Sequence, residues 1–139
     1  MPTSNIRQVR LTWTGEGLSF EGGPANGVQI GVDGDGVAGQ TPMQLLLLAL
    51  ASCMAIDVLM ILEKSRVSVE DLAVEVIGER AETVPKRYVA IQLKYEIKGP
   101  SDEDQAKLDR AIELSRDKYC SVLHTLDAEI DCDIAVERR

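Results

Sequence analysis

Apolar and polar positions alternate along the first part of the chain in the manner of β-strands. In residues 7–20, two alternating runs flank the short segment 14–17, TGEG. Such a Gly-containing connection between alternating runs is typical of a β-hairpin. A third short apolar run follows at residues 28–32. The pattern predicts three short strands, of which the first two form an antiparallel hairpin.

The segment that follows, residues 33–40, has the sequence DGDGVAGQ. Its Gly and Asp content suits a loop in which some residues need positive φ values. It lacks the later ligands and the closing Glu of a calcium-binding loop, and no Lys-Ser or Lys-Thr follows it for phosphate binding. We therefore interpret this segment as a turn.

A long helix is predicted to begin at Thr41. Residues 41–44, TPMQ, have the form of a capping box, with a hydroxyl at the N-cap, Pro42 at the first helical position and Gln44 reaching back. The next stretch, residues 43–62, is apolar around nearly its whole circumference, and residues 63–66 supply a polar end. A helix of this kind is buried on most sides, which needs more covering than one small sheet provides. We therefore expect a partner subunit, in an intimate homodimer.

About 20 apolar residues are also enough to cross a bilayer. Two features argue against a transmembrane segment: Asp57 lies inside the apolar run, and the flanking sequences alternate like strands of a soluble protein. We expect a core helix and no membrane partner.

The second half of the chain predicts two long strands, a helix and a last strand. The strands cover residues 67–80 and 87–98, with a turn at residues 83–86. A second helix is expected from Ser101 to about Tyr119, since acidic residues follow Ser101 where the helix dipole favours them. Residues 128–136 alternate again. The order β-β-β-α-β-β-α-β predicts an α+β fold, and 139 residues fit one domain, 1–139.

Composition narrows the range of partners. The formal net charge of −8 would repel phosphate backbones and anionic lipids, so nucleic acid is a poor candidate. The N-terminal sequence lacks the apolar run and cleavage site of a secretory signal, which favours a cytoplasmic protein. The three cysteines cannot all pair within one chain, and cytosolic thiols are normally reduced. At least one thiol is then available for chemistry.

Two of these cysteines are the main candidates for chemistry. Cys53 lies near the centre of the apolar helix, where a free cysteine is most simply a small buried hydrophobic residue. Cys120 falls at the end of the second predicted helix, where a side chain can face a cleft. If the two thiols met, one could be oxidised by a peroxide and the other could close a disulfide. The attacking thiolate would need a cation or another donor nearby to lower its pKa.

Three further residues could support or complicate that site. Asp57 shares a helix face with Cys53 and could be a general base, although a structural ion pair is favoured because a lone carboxylate raises the pKa of a neighbouring thiol. His124 could couple to Cys120 if the helix continues, or lie on the surface. The spacing of Cys120, His124 and Cys132 lacks the short ligand pairs of structural zinc sites, so Cys132 is interpreted as a packed strand residue and no metal is expected.

The helix start Pro42-x-Gln44-Leu45, followed by Cys53, Asp57 and a KYC-type Cys120, resembles the OsmC/Ohr hydroperoxide-reductase family. The segments IDVLMILEKSRV and P-x-R-Y-x-x-I resemble its less studied branch. The resemblance implies an OsmC-like fold in which two chains intertwine around long central helices, with two thiol sites at the dimer interface. It further implies that Cys53 is the peroxidatic cysteine and Cys120 the resolving one.

The chain departs from the family at the groups that activate the thiolate. By this resemblance, Met43 stands in place of the family Glu after the helix-starting Pro, and the first hairpin turn has Glu16 in the region of the family Arg. Met43 cannot accept a charged hydrogen bond, and Glu16 would oppose a thiolate. The guanidinium groups of Arg10, Arg80 or Arg87 could take over from elsewhere.

The leading hypothesis is a thiol-dependent peroxidase that reduces small organic hydroperoxides with an external thiol or dithiol reductant. It would need no metal or bound cofactor. The alternative is a catalytically weak family member that binds a small apolar or electrophilic ligand at the dimer interface. A purely structural dimer module is a third interpretation.

Overall fold

The computed structural model describes residues 5–126, and these belong to two compact units that divide inside the long helix, after Leu46. The first unit holds three antiparallel strands in the order β1-β2-β3, which cover Arg10–Trp13, Ser19–Gly23 and Ile30–Asp33. Trp13 pairs with Phe20 across the hairpin. Gly15 and Gly17 in the connection have φ values of 94° and 52°. The predicted hairpin and third strand are confirmed.

The Asp- and Gly-rich segment after β3 is organised by the side chain of Asp33. Its carboxylate accepts hydrogen bonds from the backbone N–H groups of Asp35, Val37 and Ala38, at 2.9, 3.2 and 2.9 Å. These bonds, first of all that from Ala38, lower the pKa of Asp33. Gly36 has a φ of 69°. The segment is the turn that its sequence predicts.

The long helix α1 spans Pro42–Lys64 and begins with the predicted capping box. The backbone N–H of Gln44 donates to Thr41 Oγ1 at 3.3 Å, and the N–H of Thr41 donates to Gln44 Oε1 at 3.0 Å. At the other end Arg66 has a φ of 59°, a conformation usually taken by glycine after a helix. Both predicted ends of the helix are confirmed.

Within one chain, α1 is buried along one face. Its buried positions recur at helical spacing and are Leu50, Ala51, Met54, Val58 and Leu62. The large side chains of Leu48, Ile56, Leu59 and Met60 remain exposed. The most apolar window has a mean hydropathy of 2.6 and is 28% buried. The helix is thus long and apolar enough to cross a membrane, a test that core helices also pass.

The second unit packs α1 against a two-stranded antiparallel sheet and the following helices. Strands β4, Asp71–Arg80, and β5, Tyr88–Lys98, alternate between half-buried and exposed positions. The helical segment that follows has a 3₁₀ turn at Asp102–Asp104, α2 at Gln105–Leu114 and a π-helical turn at Ser115–Tyr119, and α3 covers Ser121–Leu126. The predicted second helix is confirmed in extent. The expected last strand, residues 128–136, lies outside the described residues.

The core of the second unit consists of two apolar clusters joined by Tyr95 of β5. One cluster is built on Val58, Leu62, Val67 and Ala111. The other is built on Leu50, Met54 and Cys120, with Cys53 packed against it. The cysteine of α1 and the cysteine after α2 therefore reach the same part of the core.

Candidate thiol site

The fold brings Cys53 and Cys120 together although they are 67 positions apart in the sequence. The sulfur atoms of both cysteines and one carboxylate oxygen of Asp57 all lie within 4.8 Å of one another. Both thiols are free, with Cys120 buried and Cys53 half-buried. The predicted meeting of the two thiols is borne out by this geometry.

Each of the three groups is placed by a helix or a helix end. Cys53 and Asp57 lie one turn apart on α1, so their side chains project from the same face. Cys120 ends the π-helical turn, where its φ and ψ of −69° and 102° redirect the chain into α3. The wider π turn and the change of direction carry the Cys120 side chain to α1.

Ser115, which the sequence did not single out, connects α1 to the π-helical turn. It is fully buried, and its hydroxyl donates to Asp57 Oδ2 at 3.0 Å. The same hydroxyl lies 3.4 Å from the main-chain oxygen of Met54. Asp57 has no ion-pair partner within residues 5–126, so the partner found for this carboxylate is a hydroxyl and not the expected cation.

The surroundings of Cys120 favour its neutral thiol. Burial raises the pKa of the Cys120 thiol, and the neighbouring thiol of Cys53 and the charge of Asp57 raise it further. The backbone N–H of Leu123 opposes this by donating to Cys120 Sγ at 3.4 Å. Cys120 therefore stays protonated at neutral pH while both cysteines are reduced.

Tyr95 is a second residue of the site that the sequence pattern did not indicate. Its hydroxyl is buried and has no hydrogen-bond partner among residues 5–126. Burial raises the pKa of Tyr95 to about 12, and the ionised form of Cys120 and the charge of Asp57 add to the effect. Its inward position in the alternating strand β5 was visible in the sequence. Nothing in that pattern showed that the strand would cross next to the thiols.

The other candidate residues have different surroundings. Both ring nitrogens of His124 face main-chain oxygens. Nδ1 lies 2.7 Å from the oxygen of Cys120, and Nε2 lies 3.2 Å from the oxygen of Asp117.

The candidate arginines lie elsewhere. Arg80 Nε donates to the main-chain oxygen of Lys86 at 2.7 Å in the β4–β5 connection. Arg87 is exposed in the same connection, and Arg10 belongs to the first unit. In the described part of the second unit, no guanidinium is seen to pair with the thiol site.

A cavity of about 390 Å³ adjoins the site on the side of Asp57. Its lining includes Met60, Ile61, Lys64, Leu114 and Tyr119. The lining is mainly apolar, which suits a small hydrophobic molecule with a polar end.

Residues 33–135, which are most of the chain, match the sequence model of the OsmC-like protein family. The chain belongs to the OsmC-like family. It is 40% identical over 125 residues to the protein YhfA of Escherichia coli K12, covering 89% of this chain and 92% of that protein. A solved structure of a hypothetical protein from Aquifex aeolicus is 33% identical, with a TM-score of 0.76 and 89% of each chain covered.

The fold extends to more distant proteins of named function. An organic hydroperoxide resistance protein from Elizabethkingia anophelis has a TM-score of 0.58 at 16% identity, with 90% of each chain covered. A structural similarity at 16% sequence identity shows a shared fold. The α+β, OsmC-like fold expected from the sequence is confirmed.

Proposed function

We propose that this protein is a thiol-dependent peroxidase that reduces small organic hydroperoxides with Cys53 and Cys120. The observation that carries the proposal is the spacing of the two free sulfur atoms, no more than 4.8 Å apart at the junction of α1 and the π-helical turn. A disulfide needs a sulfur–sulfur distance of about 2.05 Å. Side-chain rotation and a small local movement would close that gap.

The half-buried Cys53 is the better nucleophile because a peroxide can reach it, whereas Cys120 is buried. The Cys53 thiolate attacks the terminal oxygen of the hydroperoxide. The O–O bond breaks, a proton is taken up by the leaving alkoxide, and the products are an alcohol and a sulfenic acid on Cys53. Cys120 then attacks that sulfur, water leaves, and a disulfide forms. An external thiol or dithiol reduces the disulfide.

Tyr95 supports this chemistry in place of the family's charged groups. Its neutral hydroxyl, for which the described part of the chain offers no hydrogen-bond partner, lies within electrostatic reach of Cys120 and Asp57. A hydroxyl that donates to a thiolate or to the departing oxygen stabilises negative charge without adding a charge of its own. It is the described group best suited to stabilise charge that develops at the site.

The substrate preference follows from the side chains that surround the sulfur atoms. Leu50 and Met54 form the buried wall next to Cys120, and Met60 and Leu114 line the adjoining cavity. These residues can bury an alkyl or aryl group but offer little to hydrogen peroxide. We expect cumene hydroperoxide to oxidise the protein faster than hydrogen peroxide does.

The test is a thiol titration of the reduced full chain, in a chelating buffer, before and after one equivalent of cumene hydroperoxide. The expected result is the loss of two thiols per chain. Cys53→Ser should abolish that loss, and Cys120→Ser should leave a sulfenic acid on Cys53 that dimedone traps. Cys132→Ser is the matched control and should still lose two thiols. Unchanged thiols in the parent protein, or full loss in Cys53→Ser, would contradict the proposal.

A second function, the binding of a small apolar or electrophilic ligand, is favoured by the cavity beside Asp57 and by the absence of an activating guanidinium in the described part of the second unit. It predicts saturable binding of an apolar fluorescent probe that is weakened by Leu114→Glu. Under this alternative, cumene hydroperoxide would displace the probe and leave the thiols unchanged.

A further inference from the structure

The thiol site has the composition of a metal site as well as that of a redox pair. Two sulfur donors and one carboxylate donor converge from α1 and the turn before α3, and no pair of donor atoms is more than 4.8 Å apart. Thiolate sulfur favours soft or borderline cations such as Zn²⁺ and Cd²⁺ over Mg²⁺ and Ca²⁺. The two sulfur donors therefore favour a soft or borderline divalent cation.

The spacing of the donors fits such an ion after a small contraction. With Zn–S distances of about 2.3 Å and tetrahedral angles, two sulfur ligands lie roughly 3.8 Å apart. The observed upper limit of 4.8 Å exceeds this by about 1 Å, which rotations within rotamer wells can supply. The movement needed is smaller than the one that forms a disulfide.

Two of the three ligands already have a hydrogen-bond partner that would orient them. Ser115 Oγ donates to Asp57 Oδ2, and the N–H of Leu123 donates to Cys120 Sγ. Outer partners of this kind fix ligand direction in metal proteins, and their loss typically weakens metal binding about 10- to 100-fold. Ser115 is fully buried, and its hydrogen bond holds the Asp57 carboxylate toward the π-helical turn that ends at Cys120.

The charge of the site once both thiol protons are lost suits a divalent cation. With both cysteines deprotonated, two thiolates and a carboxylate carry three negative charges, and Asp57 has no ion-pair partner among residues 5–126. A divalent cation would offset two of the three. Cys53 is half-buried, so an ion can arrive from solvent and keep one position open for water or an external ligand.

We propose that the reduced protein binds one thiophilic divalent cation per chain through Cys53 Sγ, Cys120 Sγ and the carboxylate of Asp57. Binding replaces the two thiol protons, so one M²⁺ enters as two H⁺ leave, and no electrons are transferred. A disulfide between the cysteines would remove both sulfur ligands. The ion and a peroxide therefore compete for the same thiols. The proposal uses the residues of the proposed peroxidase but does not depend on that activity.

The test is a titration of the reduced, metal-free full chain with Cd²⁺, in the absence of peroxide, followed by the thiolate-to-metal charge-transfer band in the ultraviolet. The expected endpoint is one Cd²⁺ per chain. Cys53→Ser and Cys120→Ser should each abolish the tight endpoint. Ser115→Ala should weaken binding about 10- to 100-fold. Zn²⁺ should displace part of the Cd²⁺ signal and slow alkylation of Cys53.

Two matched variants keep the test specific. Cys132→Ser removes the remaining cysteine, and Glu63→Gln removes an exposed carboxylate from the same helix as Asp57; both should bind Cd²⁺ like the parent protein. Asp57→Asn should bind more weakly than Glu63→Gln, with circular dichroism confirming that both are folded. A missing endpoint, or an endpoint that survives Cys53→Ser and disappears in Cys132→Ser, overturns the proposal. Because the peroxide assay is run with a chelator, either proposal can fail alone.

Discussion

The buried Tyr95 hydroxyl lowers the free energy of unfolding of the proposed peroxidase. A buried hydroxyl without a hydrogen-bond partner costs about 1–3 kcal/mol, and Tyr95 Oη has no partner among residues 5–126. A role in a reaction is one of the reasons for which proteins retain such groups. Stability and reactivity should therefore respond in opposite directions when this oxygen is removed.

We expect Tyr95→Phe to raise the free energy of unfolding by about 1 kcal/mol, because the ring packing is kept and the unpaired hydroxyl is lost. The same variant should slow oxidation of Cys53 by cumene hydroperoxide roughly 10- to 100-fold, which corresponds to one hydrogen bond to a charged group of about 1.5–3 kcal/mol. Urea denaturation and rapid-quench thiol assays measure the two effects. Tyr88→Phe on the same strand is the control for the rate. A normal rate in Tyr95→Phe would remove this residue from the mechanism.

The charge of Asp57 should control the pH at which the disulfide closes. The pKa of Cys120 is raised by burial first, then by Cys53 and Asp57, so the attacking thiolate forms only as the pH rises toward that pKa. Closure should therefore accelerate with increasing pH. Asp57→Asn removes one negative charge and should move the rise in rate to lower pH. Quenched-flow mass spectrometry across the pH range measures this, with Glu63→Gln as the control. A profile that stays in place would show that Asp57 does not act on Cys120.

At the residue scale, the sequence indicated the two cysteines and Asp57 but not the roles of Ser115 and Tyr95. Cys53 and Cys120 are thiol residues, a rare type whose chemistry is specific. The position of Asp57 on the same helix face as Cys53 follows from helical spacing. Ser115 and Tyr95 belong to residue types with ordinary roles in helices and strands. Their importance depends on the packing of β5 and the π-helical turn against α1, which no local pattern encodes.

At the scale of secondary structure, most helices and strands were predictable, because the local sequence patterns match the structure that each segment adopts. The capping box at Thr41 and the turn at Asp33 arise from contacts within a few residues. The alternating burial of β4 and β5 follows the period-two alternation of apolar residues in their sequences. The π-helical turn at Ser115–Tyr119 was not predicted. Its sequence, SRDKY, continues a helical pattern, and the wider turn lies between two fully buried residues, Ser115 and Cys120.

The capping box should contribute measurably to stability. Thr41→Ala removes the oxygen that accepts the N–H of Gln44, while the reciprocal bond to Gln44 Oε1 remains. Loss of an N-cap hydroxyl costs about 1 kcal/mol. Urea denaturation followed by circular dichroism should show that decrease. Thr83→Ala, at an exposed threonine in the β4–β5 connection, should change stability by less than about 0.5 kcal/mol. Equal effects of the two variants would mean that the capping bonds do not persist in solution.

At the scale of the whole molecule, the feature that one chain leaves unexplained is the exposed apolar face of α1. Leu48, Ile56 and Met60 are 51, 55 and 53% exposed and follow one another at helical spacing. Soluble monomers rarely leave a large contiguous apolar surface in water. A bilayer is a poor cover, because Cys53 and Asp57 lie on the same helix and the rest of the unit packs around its opposite face.

We propose that a second copy of the chain covers this face and completes the burial expected for such a helix. The commonest closed assembly is a two-fold dimer, in which the same apolar patch meets itself. Between Leu48 and Met60 the only charged residue is Asp57, so the net charge of −8 per chain is carried elsewhere and opposes association weakly. Association of this kind should persist at high salt.

Light scattering coupled to size-exclusion chromatography should give twice the mass of 15.2 kDa. Ile56→Glu with Leu59→Glu should shift the protein toward monomer or make its folding depend on concentration, because each change places a charge in a desolvated interface. Val84→Glu makes the same substitution at a side chain that is 88% exposed in the β4–β5 connection, and it should stay dimeric. A parent protein that is monomeric at micromolar concentration, with no affinity for vesicles, would leave the apolar face of α1 uncovered and would disprove the dimer.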